Sequence, residues 1–306
     1  MSLTFDEAPA LPRWLDRQLP YRRRLAHIDG RRVHFIDEGE GTPVLLVHGN
    51  PTWSYLWRKV IDRLRGQFRL VAPDLLGLGL SDKPSRPSDH TVELHVRTMV
   101  RLVDALDLRD LILVGQDWGG PVACGVGSRA PDRVHGMVLA NTSVLPPARP
   151  FRPKGFHRFS HAPVVSDLVF RGLGFPLPVL DRVQGDRHSI GWREKAAYAW
   201  PLWRLRDRAA PLGMARMVPH AEGHPSTQPL DRIGAWVEGW HGPAALVWGL
   251  RDPILGRALR RHREALPQAR VTETQAGHFL QEEVPDPIAD AVAHVAAEHP
   301  AARVHA

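Results

Sequence analysis

Leu111-Ile112-Leu113-Val114-Gly115-Gln116-Asp117-Trp118-Gly119-Gly120 is an apolar run that feeds into an acidic residue with glycines two positions to either side. The run reads as a strand buried on both faces. The Gly-x-Asp-x-Gly that closes it has the form of a nucleophile elbow, a cramped strand-to-helix turn that exposes one side chain above a sheet. Gly115 and Gly119 let the strand and the following helix approach where a Cβ would obstruct. Where many such turns carry serine, this one carries Asp117. A carboxylate that attacks a saturated carbon forms an ester that water can later cleave, whereas serine would form an inert ether. The elbow therefore predicts displacement at carbon followed by hydrolysis.

Outward from the elbow, apolar strands alternate with helical patterns. Pro43–Val47, Arg69–Asp74, Val134–Asn141 and Gly242–Gly249 are buried-strand runs, and Glu93–Leu106, Pro121–Arg129 and Ile288–Ala297 have helical spacing. Arg32–Glu38 alternates like an antiparallel strand. Parallel neighbours need crossovers, so the expected fold is α/β, a mostly parallel doubly wound sheet. From about Val144 to Leu230 the rhythm breaks: Pro146, Pro147, Pro150, Pro153, Gly172 and Gly174 interrupt it, and the apolar pieces Val164–Phe170 and Ala196–Leu205 look helical. The expected division is a core over 1–143 and 231–306, with an inserted helical cap over 144–230.

Composition narrows the class. Single Cys124 excludes an internal disulfide framework and a cysteine metal cluster, and reads as a packed helix residue. The N-terminal residues lack the basic start and apolar run of a secretory signal, and no run reaches the ~18 apolar residues of a membrane span. A cytoplasmic protein without a membrane partner is expected. The net charge of +7 rests on four lysines and many dispersed arginines, often beside acids, which reads as a solvated surface and not a nucleic-acid face. Arg22-Arg23-Arg24 reads as a solvated lead-in before the first strand. Gly77-Leu78-Gly79-Leu80-Ser81-Asp82 lacks the third glycine of a dinucleotide fingerprint. No cofactor and no metal is expected.

Ligands of doubly wound sheets bind beyond the carboxyl ends of the strands. Three such ends present Asp117, Asp252 and His278, in the chain order nucleophile, acid, histidine. Together with His48-Gly49-Asn50-Pro51, Gln116-Asp117-Trp118-Gly119-Gly120, Gly249-Leu250-Arg251-Asp252 and Ala276-Gly277-His278-Phe279, they make the chain resemble the haloalkane dehalogenases. The likeness runs through both core segments and is looser in the cap. It implies an α/β-hydrolase fold and a hydrolase that acts on carbon–halide bonds, giving an alcohol, a halide ion and a proton. It implies Asp117 as nucleophile, His278 as base and Asp252 as its acid. Halide-binding residues are implied at Asn50 and Trp118, whose backbone N–H groups also suit an oxyanion hole. A halide leaves without a proton, so it needs only N–H donors, and indole and carboxamide groups supply them. In family members whose acid follows an earlier strand, that acid would fall in Asn141-Thr142-Ser143, which holds no carboxylate. The expected partners are a small halogenated aliphatic substrate, water and halide, with the oligomeric state open.

The alternatives share the scaffold. An epoxide hydrolase would need acidic donors in the cap, typically two tyrosines, and only Tyr198 of Tyr21, Tyr55 and Tyr198 lies there. A fluoroacetate dehalogenase would carry arginine where Trp118 stands. A β-lactone decarboxylase shares the elbow and triad pattern, and a non-catalytic receptor would be expected to have lost a triad member. His48 reads as a loop-shaping residue, and Trp53 and Trp57 as packed aromatics. Trp192, Trp200 and Trp203 of the cap are candidates either for its core or for the pocket.

Overall fold

The computed structural model describes residues 4–146 and 155–298, so the prolines at 147, 150 and 153 lie outside the described residues. Nine strands form one sheet: β1 (Phe5–Glu7), β2 (Arg23–Ile28), β3 (Arg31–Glu38), β4 (Thr42–Val47), β5 (Phe68–Pro73), β6 (Leu111–Asp117), β7 (Val134–Thr142), β8 (Ala244–Gly249) and β9 (Arg270–Thr274). Their order is β1-β2-β3-β5-β4-β6-β7-β8-β9. Pairing is antiparallel through β1, β2, β3 and β5 and parallel from β5 to β9. The continuous apolar runs occupy the parallel part. Residues 111–116 of β6 and all of β8 are buried, which requires cover on both faces. One layer is the elbow helix Gly119–Arg129 packed with helices Val92–Ala105 and Thr227–Glu238; the other joins helices Arg58–Leu64 and Pro285–Ala297.

One expectation is overturned at the N-terminus. Arg22-Arg23-Arg24 is not a solvated lead-in, because Arg23 and Arg24 begin β2, which pairs with β3 along six residues. The reason is charge pairing within the sheet. Asp37 of β3 is buried and faces Arg22, Arg24 and Arg69 at 3.4, 3.8 and 2.9 Å, so the arginines answer an otherwise uncompensated internal carboxylate.

Between β7 and β8 the described chain consists of short helical pieces, among them Gly155–Ser160, Val165–Asp167, Leu168–Gly172, Trp192–Ala199 and Ala209–Arg216. Ala209–Arg216 packs against Pro87–Asp89 beside the loop after β5. Helix Thr227–Glu238 runs unbroken through residue 230 and packs on the elbow helix. Among the described residues no helix is long and apolar enough to cross a membrane. Cys124 is free and buried on the elbow helix, and burial pushes its thiol well up.

Candidate active site

Asp117 ends β6 at φ 52°, in the left-handed region, where a register shift separates it from Gln116. That conformation is costly for a non-glycine residue and is held here by its surroundings. A Cβ at Gly115 would lie 2.5 Å from Gly120 Cα, one at Gly119 would lie 1.9 Å from the Val47 carbonyl, and one at Gly120 would lie 2.0 Å from Thr142 Oγ1. Thr142 Oγ1 in turn donates to the Asp117 carbonyl at 2.6 Å. These contacts fix the elbow to β4 and β7 and leave its carboxylate partly exposed at the end of the sheet.

Two groups meet that carboxylate from other strand ends. The backbone N–H of Asn50, in the loop after β4, donates to Asp117 Oδ1 at 2.7 Å. Gly49 leaves room for this approach, since a Cβ there would stand 2.3 Å from the same oxygen. His278 Nε2 lies 3.6 Å from Asp117 Oδ2, an ion contact longer than a hydrogen bond. His278 Nδ1 donates to Asp252 Oδ2 at 2.9 Å, and Asp252 Oδ1 takes the Ile254 N–H at 2.7 Å. The three residues that chain order singled out thus converge from the ends of β6, β8 and β9.

His278 is fully buried, and burial alone would favour its neutral form. The opposing carboxylates win, Asp252 first and then Asp117, and raise its pKa to about 10.

Trp118 caps the elbow helix and is half-buried, and its indole N–H has no hydrogen-bond partner among the described residues. The side chain of Asn50 donates one N–H to the Pro211 carbonyl at 3.0 Å, which anchors the β4 loop to helix Ala209–Arg216 and leaves its second N–H. His48 serves the loop. Its Nδ1 donates to the Gly49 carbonyl and its Nε2 accepts the Leu75 N–H, each at 2.9 Å, which requires a neutral ring; burial holds its pKa low. Trp53 and Trp57 are buried, with Trp53 Nε1 donating to the Ala197 carbonyl. Trp200 is half-buried against the main core, but Trp192 and Trp203 are 75% and 79% exposed and lie outside the core.

Several positioning residues escaped the sequence reading. Asn141, in the segment noted only for lacking a carboxylate, donates to the Gly277 carbonyl at 2.7 Å and accepts the Gly249 N–H at 2.8 Å, tying the acid strand to the histidine loop. Gln116 Nε2 donates to the His278 carbonyl at 3.1 Å, and Gln184 brackets Phe279 through its N–H and carbonyl. No local motif marks these residues, because each partner lies about 90 or more positions away. Tyr198 is also committed. Its hydroxyl donates to Glu282 Oε1 at 2.5 Å, Glu282 is paired with Arg58, and burial with the neighbouring carboxylate pushes the phenol well above its ordinary range.

The chain resembles known proteins over most of its length. The profile of the alpha/beta hydrolase fold matches residues 42–285. The chain is 35% identical over 298 residues to Haloalkane dehalogenase 2 of Mycobacterium tuberculosis H37Rv, covering 95% of this chain and 98% of that protein. It is 30% identical to the cis-3-alkyl-4-alkyloxetan-2-one decarboxylase of Shewanella oneidensis, covering 93% and 91%. The crystal structure of haloalkane dehalogenase DbeA from Bradyrhizobium elkani USDA94 superposes with a TM-score of 0.80 at 25% identity, covering 98% of this chain and 99% of that one.

Proposed function

The chain belongs to the haloalkane dehalogenase family of the α/β-hydrolase fold, and from that premise we propose that it hydrolyses carbon–halogen bonds through an ester on Asp117. The observation that carries the reading is the setting of that carboxylate: strained outward at the elbow, bonded by the Asn50 N–H, and faced by His278 on Asp252.

Asp117 attacks the carbon that bears halogen, forming the C–O bond as the halide departs with the bonding pair. The free N–H of the Asn50 amide and the Trp118 indole N–H receive the halide. Esterification removes the charge of Asp117, one of the two anions that favour the charged ring. Burial then favours the neutral ring, the form that acts as base in the second step. It takes a proton from water, which adds to the ester carbonyl, while the N–H groups of Asn50 and Trp118 stabilise the oxyanion. Asp252 keeps the ring oriented and balances the imidazolium as it forms. Collapse breaks the bond between the former ester carbon and the alkoxide oxygen; the alkoxide takes the hydroxyl proton of the intermediate and leaves as alcohol, Asp117 returns as carboxylate, and the halide and the proton taken up by His278 leave to solvent.

The division into a core over 1–143 and 231–306 with a cap over 144–230 is part of this reading. It is supported by a sheet made wholly from residues 5–142 and 244–274. A small haloalkane, water and halide are its partners, and a cytoplasmic setting suits the single buried cysteine. The commitment of Tyr198 to Glu282 argues against an epoxide hydrolase, which needs a free cap acid.

A second reading, decarboxylation of a β-lactone, is favoured by the similarity to the Shewanella oneidensis enzyme. Turnover of a bromoalkane panel and of a dialkyl β-lactone by the same preparation separates the two. Bromide release is expected, with kcat/KM falling roughly 100-fold in Trp118→Phe as one anion donor is lost. A wild type inert to every bromoalkane but active on the lactone would overturn the dehalogenase reading.

A further inference from the structure

Three histidines meet in the cap segment, away from the proposed triad. His161 follows helix Gly155–Ser160, and His220 and His224 lie in the loop between helices Ala209–Arg216 and Thr227–Glu238. One ring nitrogen from each falls within 4.8 Å of the others, and all three residues are half-buried. We propose that His161, His220 and His224 form a site for a divalent transition-metal ion of nitrogen preference, with Zn2+ as its probe.

Accounting for the ring nitrogens supports this. Nδ1 of His220 is buried without a hydrogen-bond partner among the described residues, a costly state for an imidazole nitrogen unless something else takes it. His224 Nε2 donates to the Arg216 carbonyl at 3.0 Å, so its Nδ1 must carry the lone pair. A ring that donates one N–H to a backbone carbonyl while its other nitrogen is a lone pair is the usual state of a metal-binding histidine. That lone pair accepts the Ser226 N–H at 3.1 Å, a bond the ion would replace. His161 places Nδ1 3.2 Å from Ser160 Oγ.

Arg216 preorganises the segments. Its Nε donates to the Ser160 carbonyl at 2.8 Å, its Nη2 to Ser166 Oγ at 2.9 Å, and its own carbonyl holds His224. Asp167, 3.3 Å from the same guanidinium, balances that charge beside an incoming cation. The His220 and His224 ring centroids are 5.2 Å apart, close to the ~5 Å of two imidazoles on one tetrahedral Zn2+. His161 and His220 are closer, at 3.9 Å, so the ion would part those two rings as it enters. Three neutral ligands leave a fourth position for water. Imidazole-only donors suit zinc, nickel and copper over magnesium or calcium. The bound ion would join the described start of the cap to the loop that leaves it.

The test uses the full chain without a histidine tag, stripped with chelator. Titration with Zn2+ is expected to saturate at one tight equivalent and to raise the unfolding temperature. Co2+ in its place should show the intense visible absorption of a four-coordinate nitrogen site. His220→Ala and His224→Ala should each weaken Zn2+ binding at least roughly tenfold, while His188→Ala, an exposed cap histidine, leaves it unchanged. Weak binding spread over many histidines, a six-coordinate Co2+ spectrum in the wild type, or equal affinity in His220→Ala would overturn the proposal. The Co2+ spectrum of the wild type keeps it testable should an alanine variant fail to fold.

Discussion

A methyl group added at Gly119 would stand 1.9 Å from the Val47 carbonyl, whereas one added at Gly155, in the cap segment, meets nothing within 4 Å among the described residues. The elbow is backbone packed on backbone, with Asp117 strained, buttressed by Thr142 and met by Asn50 and His278. The cap is a chain of short helices that leaves Val164, Leu168, Leu173 and Leu205 more than half exposed. In-line attack at carbon tolerates little displacement of the reacting groups, so their supports are rigid. The cap segment, with its apolar side chains left in solvent, is held by fewer buried contacts than the elbow.

The contrast can be broken most forcefully at the base. His278→Phe should still release about one equivalent of bromide but lose steady turnover by about 10⁴-fold or more, and mass spectrometry should find the alkyl adduct on Asp117. Release with no adduct would remove His278 from the second step. A smaller effect is expected from Gly119→Ala, which no side-chain movement can relieve. Thermal or urea unfolding should show a loss of about 3 kcal/mol, and a loss under about 1 kcal/mol would mean the elbow is less rigid than described. Asp117→Asn sharpens the electrostatic account. Removing one of the two carboxylates that favour its charged form must lower the His278 pKa from about 10, and a nitrogen NMR titration should show the ring losing its proton at a lower pH. An unchanged titration would leave Asp252 as the sole cause. Smallest of all, Gly155→Ala should change stability by only about 0.5 kcal/mol, in the stabilising direction.

Legibility in the sequence follows the same line. Buried parallel strands declare themselves as unbroken apolar runs, and the elbow glycines stand where no Cβ fits, so β4 to β8 and Asp117 could be read directly. β2 could not, because its arginines look like solvent-facing charge until Asp37 of the neighbouring strand is seen beside them. Asn141, Gln116 and Gln184 were hidden for a related reason: a hydrogen bond across a hundred residues leaves no local pattern. In the cap, prolines and three-residue turns have no sustained period, and nothing in the pattern around Trp192 and Trp203 distinguishes an exposed tryptophan from a packed one.

Asn141 also constrains how such a site can evolve. A carboxylate at this position would be the simplest way to move the triad acid to an earlier strand, and aspartate differs from asparagine by one terminal group. Yet the Asn141 amide faces the Gly277 carbonyl at 2.7 Å, and an aspartate would bring oxygen against oxygen at the base of the histidine loop. Asparagine at this position therefore serves the histidine loop in a way that a carboxylate could not without a change in that loop.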